Sequence, residues 1–190
     1  MSEILAVPTE IPPFVEFPSI ARLARECIVT EKIDGTNAQV HITEDGRMFA
    51  GSRSRWITPL ADNFGFAAWV QANRDELMLL GPGSHFGEWW GSGIQRGYGL
   101  TNGEKRFALF NVSRWADDAV RPTCCGVVPT LARMAEFDTQ YIEKVMFDLG
   151  ESGSRLAPGF MKPEGIVVYH EKSRTLFKRT FGGDGHKGAR

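Results

Sequence analysis

The segment VTEKIDGTN (residues 29–37) crowds Glu31, Lys32, Asp34, Gly35 and Asn37 into one short stretch. A tight turn needs only the Asp34-Gly35 pair, and a solvated hairpin has no need of Glu31 or Lys32. The residue types suit another use, an amine nucleophile held beside groups that tune it. A lysine attacks only as the free amine, yet its ordinary pKa of about 10.4 leaves less than about one part in a thousand unprotonated at neutral pH. Bringing that value down to about 7–8 recovers roughly 4 kcal/mol, and burial or a nearby cation has that effect. Four further residues stand in short motifs downstream: Glu88 in FGEWWG, Phe110 in FALFNV, Glu164 in PEGIVV and Lys178 in LFKRT. Each also has an inert reading. Lys32 would be a surface cation on a hairpin, Phe110 a core residue of an alternating strand, and Glu164 a turn residue ahead of a buried strand.

Elements must position these residues. The chain has 190 residues, 42% hydrophobic and 24% charged, the make-up of one ordinary globular domain. Around Lys32, ECIVTEK reads as a β-branched strand ended by the Asp-Gly turn. TNAQVHIT reads as a half-buried alternating strand, with RMFAGS its hairpin partner across EDG. A helix is expected from Asn63 to about Leu80, stopped by GPG. SHFGEWWG and KRFALFNV read as strands on either side of a glycine-studded loop, GSGIQRGYG, while residues 113–130 resist assignment. DTQYIEKVMFDLG carries Ile142, Val145, Met146 and Leu149 at helical spacing, with Asp138 as the cap and Gly150 as the stop. EGIVVYH and TLFKRTF form a closing hairpin across EKSR. The expected class is α+β, with mainly antiparallel sheets and interspersed helices, in a single domain over residues 1–190.

No apolar run approaches the length of a membrane span. The amino terminus, MSEILAVPTEIPPF, has acids and prolines where a secretory signal needs a basic start and a long apolar stretch, so a cytoplasmic protein is expected. Cys27 stands alone and Cys124 adjoins Cys125, without zinc-site spacing, which suggests reduced thiols. A net charge of −1 excludes a globally basic nucleic-acid surface. Local patches remain: SRSRW (52–56), and the end of the chain from Arg174 onward with Lys178, Arg179, Lys187 and Arg190.

Lys32 in EKIDGTN, Glu88, Phe110, Glu164 and Lys178 follow one another in the order and rough spacing of the covalent nucleotidyltransferases, namely RNA ligases, DNA ligases and mRNA capping enzymes. The TEKIDGTN block most resembles the RNA ligase branch of phage repair and kinetoplastid editing ligases, and the resemblance runs from about Pro13 to Phe181. It implies a ligase-type adenylyltransferase (ATP-grasp-like) domain and an ATP-dependent RNA ligase using ATP and Mg2+ or Mn2+. Lys32 would take AMP from ATP as lysyl-AMP, releasing pyrophosphate. The AMP would pass to an RNA 5′-phosphate, and a 3′-hydroxyl would then seal that end and expel AMP. The resemblance assigns catalysis to Lys32, Glu164 and Lys178. Around the nucleotide it adds Glu31, Asn37, Arg53, Glu88 and Phe110, and around the metal Asp34, Glu88 and Glu164. Phe110 would stack on adenine, Glu88 would reach the ribose hydroxyls, and Arg53 would meet phosphate, a role that the neighbouring Arg55 also fits. Gly35 and Gly165 would let backbone approach the nucleotide. His85 reads as a packed strand residue.

Three departures qualify the pattern. Asn111 follows Phe110 where many relatives carry aspartate. The family's last motif has two lysines two residues apart, whereas Lys178 is flanked at that spacing by Leu176 and Thr180; one cation is absent, or Arg179 partly substitutes. Only twelve residues follow Lys178, so no separate carboxyl-terminal domain is expected. The basic tail KRTFGGDGHKGAR, or a protein partner, would then supply the grip on RNA. Two other readings stand beside this one: adenylyl transfer to DNA or another acceptor with a partner protein, and an inactive module that binds nucleotides or RNA ends. The joint presence of Lys32, Glu88, Glu164 and Lys178 argues against the second.

Overall fold

The computed structural model of the chain describes residues 13–182; Lys187, Arg190 and the rest of residues 183–190 lie outside the described residues. Strand β1 (Cys27–Lys32) turns Cys27 and Val29 to one side and Ile28 to the other, all buried. A β-branched run covered on both faces makes a central strand. It lies between β8 (Thr130–Met134) and β9 (Gly165–His170), and β10 (Thr175–Thr180) extends the sheet to the order β10-β9-β1-β8, all antiparallel.

After Lys32 the chain leaves this sheet. Residues 33–35 cross to a second one, in which β2 (Thr36–Ile42) lies between β3 (Met48–Ser52) and β5 (Gly83–Gly91). The edge strand β4 (Trp56–Ile57) flanks β3, and β6 (Lys105–Leu109) and β7 (Cys125–Val127) complete the order β4-β3-β2-β5-β6-β7. Its pairs are antiparallel except β6 with β7, which run parallel.

Helix α4 (Thr139–Ser152) covers the outer face of the first sheet, packing Ile142, Val145, Met146 and Leu149 on Cys27, Val29, Ile166 and Val168. Helix α1 (Phe66–Ala72) and the turns after it cover the second, with Phe66, Leu77 and Leu80 on Val40, Trp89 and Phe107. A third cluster, including Ile28, Ile33, Trp90, Tyr98 and Ala108, joins the sheets face to face. Each such buried side chain contributes about 1.5–3 kcal/mol. The result is α+β in four layers, helix, sheet, sheet, helix. Among the described residues no helix is long and apolar enough to cross a membrane.

Several elements differ from expectation. The helix expected over 63–80 is broken at Asn73 into α1, α2 (Arg74–Leu77) and one 3-10 turn (Met78–Leu80). The Asn73 side chain donates to the Trp69 carbonyl at 2.8 Å, competing with the helical ladder. The first helical amide, from Phe66, donates to the Asn63 carbonyl at 3.1 Å, and the Asp62 carboxylate receives the next two, from Ala67 at 2.8 Å and Ala68 at 3.0 Å. The strand expected over 105–112 ends at Leu109, and α3 (Val112–Trp115) follows at once. Residues 113–130 resolve into most of α3, β7 and the start of β8, elements too short for a period to show. Helix α4 runs past Gly150 and ends at Gly153, whose φ of 78° with ψ of −174° is a backbone conformation that favours glycine.

Candidate active site

Strand register brings the predicted cations to one face. Lys32 is opposite Gly165, and Thr30 is opposite Val167, which is in turn opposite Lys178. Directly paired residues share a face of a sheet, so Lys32 and Lys178 project to the same side, into a cleft between the sheets. From the second sheet, Asn37 is opposite Glu88. The cleft has a volume of about 1020 Å3 and is lined by Lys32, Asn37, Glu88, Phe110, Arg174 and Lys178, among others.

At its closed end, Lys32 Nζ donates to Glu164 Oε2 at 2.6 Å, with 25% and 12% of the two side chains exposed. The amine is therefore held by a carboxylate yet reachable from the cleft. Glu88 accepts from the Gly35 amide at 3.1 Å and from Asn37 Nδ2 at 3.4 Å. It is buried, and burial pushes its pKa up to about 7; Lys32 opposes the shift while Glu164 and Asp34 reinforce it.

Two residues that nothing in the motif GSGIQRGYG singled out tie this end together. The Tyr98 hydroxyl donates to the Lys32 carbonyl at 3.3 Å and accepts from the amides of Asp34 at 3.1 Å and Glu164 at 3.4 Å. Burial first of all pushes its phenol up to about 12, keeping it a neutral donor. Arg96 donates to Asp34 Oδ2 at 2.9 Å and to the carbonyls of Lys162 and Pro163 at 3.0 Å each. Together they staple the nucleophile strand to the Glu164 loop. Tyr98 adopts a left-handed φ of 49°, held there by its ring packing on Phe160 at 4.5 Å and Trp90 at 5.8 Å. The available signal was a tyrosine, apolar in body and polar at its tip, inside a glycine-rich loop.

A family model described as RNA ligase matches residues 25–181. The chain belongs to the RNA ligase family. Solved structures agree in fold. A mutant of Naegleria gruberi RNA ligase in apo form is 19% identical at a TM-score of 0.61, over 90% of this chain and 57% of that one. Another mutant of Naegleria gruberi RNA ligase, with ATP and Mn, is 20% identical at a TM-score of 0.62, over 83% of this chain and 49% of that one. A third, with AMP and Mn, is 20% identical at 0.61, over 83% and 50%. The chain thus spans about half the length of these relatives. None of the curated proteins compared with it matches.

Within this RNA ligase fold the remaining predicted residues separate. Phe110 stands just beyond β6, is 40% exposed and belongs to no core cluster. The core reading of that ring fails, and its face is available for stacking. Asn111 caps α3, its side chain accepting from the Arg114 amide at 3.1 Å, a task aspartate and asparagine do equally well. His85 is buried, with its Nε2 at 2.9 Å from the Gly81 carbonyl and its pKa lowered by burial, consistent with packing.

Glu31 projects to the opposite face of β1 from Lys32. It is 1% exposed, and its Oε2 accepts from the amides of Arg155 at 2.8 Å and Leu156 at 3.1 Å. Its carboxylate anchors the loop after α4, while the residue still takes part in lining the cleft. Arg179 likewise faces α4, its Nε donating to Glu143 at 3.1 Å, so it does not replace the missing lysine. Arg174, at the turn before β10, is another cation that lines the cleft. Arg53 and Arg55 are both exposed on the β3–β4 loop and neither lines the cleft.

The two glycines serve strand packing. A Cβ on Gly35 would lie 2.5 Å from the Trp89 carbonyl, and one on Gly165 (φ 154°) 2.1 Å from the Arg179 carbonyl. Both close approaches are to protein backbone, not to a ligand space. Nor are Asp34, Glu88 and Glu164 gathered into a metal cage. Among the described residues no group of three His, Cys, Asp or Glu side chains is placed to hold an ion, and Asp34 is engaged by Arg96. A magnesium-type cation that keeps several waters and leans on phosphates needs only one or two carboxylates. Glu164 and Glu88 meet that requirement.

Proposed function

We propose that this chain is an ATP-dependent RNA ligase that forms lysyl-AMP on Lys32, transfers AMP to an RNA 5′-phosphate and seals it to a 3′-hydroxyl. The observation that carries the reading is the Lys32–Glu164 pair at 2.6 Å inside a cleft that also presents Lys178 and an exposed Phe110. Lys32, having lost a proton to solvent, attacks the α-phosphorus of ATP; the N–P bond forms as the bond to pyrophosphate breaks. Glu164 orients the amine. Lys178 and Arg174 meet phosphate charge, and Phe110 stacks on the base for about 1–3 kcal/mol. Asn37 and Glu88, linked to each other, present polar atoms to the sugar side of the cleft. A divalent cation, when bound, supplies further charge neutralisation, with Glu164 and Glu88 to hold its water shell. That relatives of this fold were solved with ATP and Mn supports the choice of ligands.

We read residues 1–190 as one nucleotidyltransferase domain, with RNA ends as the substrate. The Cys124 and Cys125 sulfurs lie 3.9 Å apart as free thiols, which suits a reducing, cytoplasmic setting. The decisive experiment is incubation with ATP and magnesium followed by intact-mass measurement. Wild type should gain one AMP and Lys32→Ala none. An adduct mapped to another lysine of the wild type would overturn the assignment.

A further inference from the structure

The inner face of the six-stranded sheet changes character across its width. At one end Trp90 and Ala108 are buried against the first sheet, and next to them Glu88 and Asn37 line the cleft. Register then carries the same face outward along two rows, Phe86–Gln39–Gly51–Trp56 and Ser84–His41–Phe49. There it opens to solvent, with Phe86 55%, Trp56 54% and Phe49 39% exposed. The rings of His41, Phe49 and Trp56 contact one another at centroid separations of 5.8 to 6.4 Å, so these three form one shelf, with Phe86 on the same face beyond Gln39.

Beside Trp56, the loop carrying Arg53 and Arg55 is closed by the Ser52 amide, which donates to the Arg55 carbonyl at 2.9 Å. Both arginines are exposed, and neither guanidinium has a hydrogen bond or ion pair among the described residues. On the neighbouring hairpin, Asp45 is already bound by Arg47 at 2.9 Å. An aromatic shelf flanked by unpaired cations is the combination that holds single-stranded nucleic acid, through base stacking and phosphate contacts.

We propose that this shelf is the track for single-stranded RNA leading to the reacting end. Bases stack on Trp56, Phe49, His41 and Phe86, while Arg53 and Arg55 hold phosphates. Continuity with the cleft on one sheet face, together with the free positive charge, favours an RNA strand over a second copy of the chain or an apolar protein partner. The inference rests on the function proposed above, and gives the two arginines outside the cleft a task.

The test is fluorescence anisotropy of a labelled, 5′-phosphorylated single-stranded oligoribonucleotide with the full chain, with AMP-adduct yield measured in parallel. Trp56→Ala and, separately, Phe49→Ala should weaken RNA binding about 5-fold or more, and Trp56→Phe should largely restore it. Adduct yield should stay at the wild-type level in all three. The double variant Arg53→Gln/Arg55→Gln should lower the slope of log affinity against log salt by about 1.4. Wild-type RNA affinity in both alanine variants, at matched circular dichroism, would overturn the shelf while leaving the adenylylation reading intact. The shelf also falls if the wild type binds no RNA, or if Trp56→Ala only dissociates a dimer in sedimentation. RNA binding that depends on Trp56 without any adduct would support the shelf and remove the enzymatic reading.

Discussion

The two sheets meet at one cleft but contribute to it in unlike ways. The four-stranded sheet brings cations. Lys32 ends its central strand, while Lys178 and Arg174 stand on and before its edge strand, and all three line the cleft. The six-stranded sheet brings an acid, an amide and an aromatic, and its acid lies deep: Glu88 is 8% exposed, and burial raises its pKa to about 7. A carboxyl buried at the centre of a sheet becomes a group that titrates near neutrality. Between the sheets, residues 33–35 make the crossing, and Arg96 and Tyr98 hold it in place.

The sharpest way to break the comparison is to remove charge from the side of the four-stranded sheet, either its cation or the carboxylate that holds Lys32. Lys178→Ala and Glu164→Ala should each reduce AMP-adduct formation by about 10³-fold, at unchanged circular dichroism, since neither fills the core. Near-normal adduct yield in either would show that the shared face is not the functional one.

The acid side should answer to pH instead. Because the folded value of Glu88 lies above its ordinary 4.5, the folded protein holds this proton more tightly than the unfolded chain. Its contribution to stability is full below about pH 4.5 and is lost as pH rises through about 7, a spread of roughly 3 kcal/mol. Urea titrations of wild type and Glu88→Gln should diverge over that window, with the variant relatively more stable at higher pH. Parallel pH profiles would contradict the assignment.

The staple should show a smaller effect. Tyr98→Phe leaves a carbonyl and two amides without their shared hydroxyl, at a cost of about 1–3 kcal/mol, and should slow adduct formation through misplacement of Lys32 and Glu164. Wild-type stability in this variant would mean that the hydroxyl is dispensable. Smallest of all is Arg179→Ala, adjacent to Lys178 on the opposite face. Its ion pair with Glu143 is largely exposed, at 42% and 58%, so the loss should stay under about 1 kcal/mol and adduct yield should be unaltered. A loss like that of Lys178→Ala would erase the distinction between faces.

Much of this molecule is written locally. The β-branched run before Lys32, the two hairpins, and the 3.6-residue spacing of Ile142, Val145, Met146 and Leu149 are properties of neighbours in the chain, as is the ordered series Lys32, Glu88, Phe110, Glu164 and Lys178. Sequence alone therefore determined the class of fold, most strands and the chemistry to look for. Alternation also announced that Glu31 and Lys32, or Lys178 and Arg179, face opposite ways, but not which way the cleft lies. That was decided by the crossing at residues 33–35, which sets one face of β1 against the second sheet and the other against α4. Tertiary structure alone likewise revealed the staple, whose hydrogen bonds join residues more than sixty positions apart. It also placed Gly35 and Gly165 against backbone and carried the arginines at 53 and 55 away from the cleft. The physical reason is common to all of these. Periodicity and turn chemistry act over a few residues, whereas register, burial and the partner of a polar group exist only once distant strands have met.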